Sequence, residues 1–255
     1  GADEGDYEVY AKSVFRPEKM GLYIGSDVTS RYARRSDAEY YRIASYIYEV
    51  VGKRHGNYML FFPSHAFLRQ VFEIYMKYFN ADGEVECIIQ EDYMNEHARE
   101  EFLNRFTGNE DCDLNAMIHM DIEMEEEKSL VGFCVLGGIF SEGIDLKNDS
   151  LIGAIIIGTG LPQVCNEREI LKQYFDGWGE NGFDYAYRYP GMNKVLQAAG
   201  RVIRTVDDFG IVSLLDERFL APAYQKLFPR EWSNYQIVDI DQIGRKIERF
   251  WDEWL

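Results

Sequence analysis

Short apolar runs alternate with stretches of helical periodicity through most of the chain. Runs at 22–24, 58–62, 85–89, 133–136, 154–157 and 211–215 are each only a few residues long and close to continuously apolar. Such runs mark strands buried on both faces. Helices are predicted between them, at about 37–51, 65–79, 95–106, 166–176 and 192–204. The first carries Tyr40, Ile43, Ala44, Ile47 and Val50 on one face. Asp37 is a candidate cap for that helix, and Ser64, after the strand-ending Pro63, for the next. A last amphipathic helix at about 238–255 ends in Phe250, Trp251 and Trp254, which are expected to dock on the body. Strands alternating with helices imply right-handed crossovers. The predicted fold is α/β: an open, mainly parallel sheet with helices on both faces, in three layers. Ligands of such a sheet are expected beyond the carboxyl ends of the strands.

The stretch at about 107–128 breaks this rhythm. Ile118, Met120, Ile122 and Met124 alternate with His119, Asp121 and Glu123, as in a half-buried strand, but Glu125, Glu126 and Glu127 follow. It is read as an acidic excursion from one domain spanning 1–255. No internal repeat or low-complexity segment occurs.

Composition narrows the class. The chain has 255 residues, 46% hydrophobic and 28% charged, enough for a substantial core and against disorder. Its net charge of −17 excludes a uniformly basic surface for duplex DNA, though not a local basic groove on an acidic body. Cysteines stand at 87, 112, 134 and 165, without metal-type CxxC spacing and without the density of a disulfide framework. A reduced intracellular protein is expected, cytoplasmic if bacterial. No apolar run approaches the roughly 18 residues of a membrane span, and no signal peptide is recognisable. The start, Gly-Ala-Asp-Glu without Met, suggests a piece of a longer protein.

Three clusters carry candidate chemistry. Residues 137–145, GGIFSEGID, follow a strand. Their three glycines can expose successive N–H groups as an anion nest, with Ser141, Glu142 and Asp145 adding polar groups. The same residues would also serve as an ordinary glycine-rich connection. Residues 197–204, QAAGRVIR, place Gln197, Arg201 and Arg204 at i, i+4 and i+7, on one face of a continuous helix. Guanidiniums suit phosphate because their planar fork bonds bidentately, and Gly200 permits close approach. A salt-bridged face partnered by Asp207 and Asp208 is the alternative. Residues 56–64, GNYMLFFPS, deliver Ser64 and His65 to a helix N-terminus, a natural phosphate site or a plain cap.

Other patterns are set aside. Residues 211–217 look like a strand delivering a magnesium-binding acid, but the G-x-x-x-x-G-K-[ST] loop that must accompany it is missing. Asp216 and Arg218 are therefore read as structural. The four histidines form no HExxH motif and pair with no nearby cysteine, so no metal site is expected.

The strings GNYMLFFPS, GGIFSEGIDL, QAAGRVIRTVDDFGIVSLLDERF and LFPREW, in this order, resemble motifs IV, V and VI and their flanks in superfamily 2 DNA helicases of the DinG and XPD (Rad3) type. SVFRPEKMGLYIGSDVTSRYARRS resembles the start of that family's second motor domain. The resemblance covers about 13–232. It implies a RecA-like fold and half of an ATP-dependent helicase. The first motor domain would hold ATP and Mg²⁺ on its P-loop, with a [4Fe-4S] cluster in many members, and single-stranded DNA would cross both domains. By the same resemblance Arg204 is the arginine finger, Arg201 its companion and Gln197 the nucleotide sensor. Gly143 and Asp145 link nucleotide to DNA, with Glu142 and Gly200 beside the nucleotide. Ser64 and Ser141, with His65 and Gly138, contact the DNA backbone. The rival is a non-catalytic acidic α/β module that binds a partner protein or a phosphate ligand. A helicase half needs the Gln197/Arg201/Arg204 face open to a cleft, whereas a scaffold would cap it with its own acids.

Overall fold

The computed structural model describes residues 16–107, 128–140, 151–203 and 205–254. The excursion falls almost wholly outside them, as do Cys112, Arg204, Ser141, Glu142, Gly143 and Asp145.

Among the described residues seven strands form one sheet: β1 (Met20–Gly25), β2 (Asn57–Phe62), β3 (Val85–Ile89), β4 (Ser129–Val135), β5 (Gly153–Ile157), β6 (Gly210–Leu215) and β7 (Gln236–Val238). Their order is β3-β4-β2-β5-β6-β1-β7, and every pairing is parallel. Helices α1 (Asp37–Val51), α2 (His65–Tyr78), α3 (Glu96–Thr107), α4 (Asn166–Gly177), α5 (Tyr189–Ala199), α6 (Pro222–Gln225) and α7 (Ile240–Trp254) connect and flank them.

Alternate side chains of each strand feed two cores. On one face Tyr58, Leu60 and Phe62 of β2 pack with Ile43 and Ile47 of α1, Val71 of α2 and Ile247 of α7. On the other, Met59 and Phe61 pack with Phe102 and Phe106 of α3 and with Met192 and Val195 of α5. The three-layer expectation holds. So does the docking of the final helix: Phe250 and Trp251 are buried, and Arg54 lies over the rings of Trp251 (4.5 Å) and Phe209 (5.3 Å).

The structure departs from the sequence reading in several places. Ser36, not Asp37, caps α1, its Oγ accepting from Glu39 N–H at 3.3 Å. The sheet has a seventh strand, β7, too short and exposed to register as an apolar run. The helix predicted at 192–204 begins earlier, continuing from a π-helical turn at Asp184–Arg188, and stops at Ala199. Beyond it the chain tightens, with Arg201 and Val202 N–H groups reaching Ala198 and Ala199 carbonyls three residues back.

Candidate nucleic-acid and nucleotide interface

At the carboxyl ends of β2, β3 and β4 three sequence-selected residues come together. Ser64 caps α2, its Oγ accepting from Phe67 N–H at 3.3 Å. His65 follows, with Nδ1 3.2 Å from Oδ1 of Asp92. Asp92 also pairs with Arg69. The hydrogen bond from Arg69 holds the Asp92 carboxyl below its ordinary range against the opposing effect of desolvation, and the charges of Arg69 and His65 help. Gly138 N–H donates to Val135 C=O (3.0 Å) in the turn after β4. Gly137 takes φ +74°, and a Cβ there would strike Lys194 of α5 at 2.6 Å.

Gln90, which the sequence reading missed, locks these ends together. It is 6% exposed, and its Oε1 accepts from Val135 N–H at 2.9 Å. A lone glutamine after a strand gives no sequence signal for this. Arg69, Ile89, Gln90, Glu91, Asp92 and Tyr93 line an adjoining cleft of about 350 Å³.

The neighbouring ends of β5, β6 and β1 are joined through Asp216, which is fully buried. Its Oδ2 accepts from Ser30 N–H (2.9 Å), Ser30 Oγ–H (2.8 Å) and Arg218 Nη2 (2.7 Å). Its Oδ1 takes Arg218 N–H (3.0 Å) and Nε (2.8 Å). Burial alone would raise this carboxyl. The bonds and charge of Arg218, with the Ser30 and Arg218 N–H groups, outweigh it and hold the pKa low. Gly158 (φ +85°) closes the junction, its hydrogens facing Ser30 Oγ, 2.5 Å from a hypothetical Cβ, and Pro63. The acid that resembles a magnesium ligand is thus a fully committed structural group.

The Gln197/Arg201 pair lies elsewhere. Helix α5 starts at the carboxyl ends, where Gly191 packs against Thr159 and Gly160, and runs antiparallel to the strands. Its far end therefore meets the amino end of β6, where a Cβ on Gly210 would collide with Val202. The residues selected from the sequence are thus divided between the two ends of the strands. The continuous helix expected to carry Gln197, Arg201 and Arg204 is not found: α5 ends between Gln197 and Arg201, and Arg204 lies outside the described residues. Gln197 and Gly200 are exposed, and the nearest atoms to a Cβ on Gly200 are carbonyls of its own helix. Arg201 is 8% exposed. Its positive charge acts on the Cys134 thiol of β4, opposing burial, which nonetheless drives that thiol far above its ordinary pKa.

A model of the family described as "Helicase C-terminal domain" matches residues 47–235, from within α1 to the threshold of β7. The chain belongs to the helicase C-terminal domain family. This helicase C-terminal domain is 28% identical over 208 residues to the ATP-dependent DNA helicase XPD of Sulfolobus acidocaldarius, an alignment covering 80% of this chain and 32% of that one. It is 40% identical over 91 residues to the ATP-dependent DNA helicase DinG of Photobacterium profundum, covering 35% of this chain and 13% of that one. An apo XPD structure shares its fold, with a TM-score of 0.63 at 23% identity over 86% of this chain and 40% of that one. The domain thus spans about a third of the length of the XPD relative. Among its described residues no group of three or more His, Cys, Asp or Glu is placed to hold a metal, and no helix is long and apolar enough to cross a membrane.

Proposed function

We propose that the chain is the second, RecA-like motor domain of an intracellular ATP-dependent DNA helicase. Its partners are the first motor domain of the same protein and single-stranded DNA. The observation that carries this reading is the placement of α5. One end packs against Thr159 and Gly160 after β5, with Lys194 reaching Gly137 after β4, and the other leads into Gln197, Gly200 and Arg201. One rigid rod thus connects a surface suited to a polymer backbone with a surface suited to a triphosphate.

The chemistry asked of this domain is positional. ATP and Mg²⁺ would be held chiefly by the first domain, which supplies the phosphate loop this sequence lacks. The [4Fe-4S] cluster implied by the resemblance would belong to that same first half. Here Cys87, Cys134 and Cys165 are free thiols. Phosphoryl transfer spreads charge over the transferred oxygens, and a guanidinium brought in from a second domain is worth on the order of 10³ to 10⁵ in rate. Arg204 is assigned that role. Arg201, anchored in the interior beside β4, holds the turn that presents it. Gln197, exposed one turn earlier, orients toward the nucleotide. Ser141 is assigned to the DNA backbone, Glu142 to the nucleotide, and Gly143 and Asp145 to coupling the two. Because the guanidinium arrives from a separate body, hydrolysis requires closure, and reopening shifts one DNA grip relative to the other.

The test is Arg204→Ala in the full-length protein. DNA-stimulated ATP turnover should be lost while nucleotide affinity stays within a few-fold of the parent. Unchanged turnover would overturn the assignment.

A further inference from the structure

We infer that the segment Arg31–Arg35, after β1, is a built single-strand grip in which Tyr32 stacks a base and Arg31 and Arg34 take successive phosphates. This rests on the helicase reading and specifies which residues of the domain hold the strand.

Charge provides the first argument. The chain carries −17 overall, yet residues 28–36, VTSRYARRS, contain three arginines and no acid. Tyr32 is 85% exposed, in a single 3₁₀ turn at Tyr32–Arg34. Arg35 lies against the rings of Tyr32 (5.3 Å) and Phe67 (4.9 Å), so the exposed ring is backed by a cation. A basic groove interleaved with an open aromatic ring is the arrangement that binds unpaired nucleotides: each base offers a π-face, and each phosphate a charge.

Rigidity provides the second. A free loop would lose much of its binding energy in ordering. The residues leading into this one are pinned beforehand, and Arg35 Nε donates back to Ser30 C=O at 3.4 Å. Thr29 N–H donates to Glu39 Oε1 (2.6 Å), Ser30 donates twice to Asp216, and Glu217 N–H donates to Val28 C=O (2.8 Å). The buried acid network around Asp216 is thereby given a purpose: it positions the arginines without touching the ligand.

Position provides the third. Gly158 places Ser30 beside Pro63, and Arg35 lies over the ring of Phe67 in the first turn of α2. The segment therefore adjoins Ser64 at the carboxyl end of β2, next to the end of β4 that carries Gly138, and a strand crossing that row can meet both.

Glu217 sets the affinity. Its carboxylate lies 3.7 Å from Arg31 Nε and 3.2 Å from Arg34 Nη1, and both arginine side chains remain about half exposed. An incoming phosphate competes with this carboxylate for the same two guanidiniums.

The inference is tested by fluorescence anisotropy of the 255-residue chain with a labelled short oligothymidylate over a range of salt. All four side chains are partly exposed, and thermal melts establish that each variant folds. Arg31→Ala/Arg34→Ala should weaken binding about ten-fold or more at low salt and flatten the log–log salt slope by about 1.4, the value for two single-strand phosphates. Tyr32→Ala should weaken binding about ten-fold with the slope unchanged. Glu217→Gln should tighten binding. If the parent chain binds and these variants bind like it, the inference is overturned and the helicase reading stands. If the parent chain does not bind the oligonucleotide even at low salt, both are overturned.

Discussion

Asp216 accepts both the backbone N–H and the hydroxyl of Ser30, residues 186 apart in the chain, at 2.9 and 2.8 Å. The bond joins the end of β6 to the end of β1, and Arg218 completes it from the same carboxylate. Asp216→Asn keeps the shape but removes the charge that Arg218 faces. Breaking one partner of a buried pair costs about 3–5 kcal/mol, to be read from urea unfolding. In the parent chain the folded-state pKa of Asp216 lies below its unfolded value. Its stabilisation is therefore complete above about pH 4, the unfolded carboxylate range, and is lost as pH falls through the lower folded value. The asparagine variant should lack this component of the acid transition.

Gly158→Ala should cost about 1–3 kcal/mol, because φ +85° is hostile to a side chain and the new methyl would press on Ser30 Oγ. Gly83→Ala is the control: its φ is also positive, but nothing lies within 4 Å. The excess loss at 158, measured by chemical denaturation, reports the closeness of the strand ends.

Ser64 separates capping from ligand contact. Ser64→Ala removes the acceptor for Phe67 N–H and should cost about 1 kcal/mol. Ser64→Asp keeps the cap and should retain stability, while its added negative charge weakens oligothymidylate binding. Equal binding by Ser64→Asp and the parent would remove Ser64 from the nucleic-acid surface.

The thiols should differ sharply. Burial pushes Cys87 up to about 12 and Cys134 higher still, whereas Cys165 is exposed ahead of α4. The thiolate is the reactive form. Iodoacetamide labelling of the native protein, mapped by mass spectrometry, should modify Cys165 before the other two described thiols and leave Cys87 and Cys134 largely unlabelled until denaturant is added.

Much of the architecture was legible because parallel strands buried on both sides leave an unmistakable apolar stretch, as in Tyr58–Phe62, and because Ser64 stands where a helix cap should. What escaped lacks such a mark. Strand β7 joins the sheet through backbone pairing with Tyr23–Gly25 while two of its three side chains face solvent. The end of α5 is invisible to periodicity, since Gly200 keeps a right-handed conformation and the chain merely tightens. The strip at 31–35 belongs to a connection, where neither period applies. Its meaning depends on Glu217 and Gly158, distant in sequence and adjacent only in the fold.

The seating of α7 sets a limit on how far the chain can be shortened. Ile243, Ile247, Phe250 and Trp251 roof the core over α1, and Arg54 lies over both Trp251 and Phe209, whose rings meet edge to face. A premature stop ahead of Ile240 would strip that roof while leaving every recognition motif intact in the sequence. Such a product would look complete to a motif search and yet be cleared by proteases or deposited as aggregate.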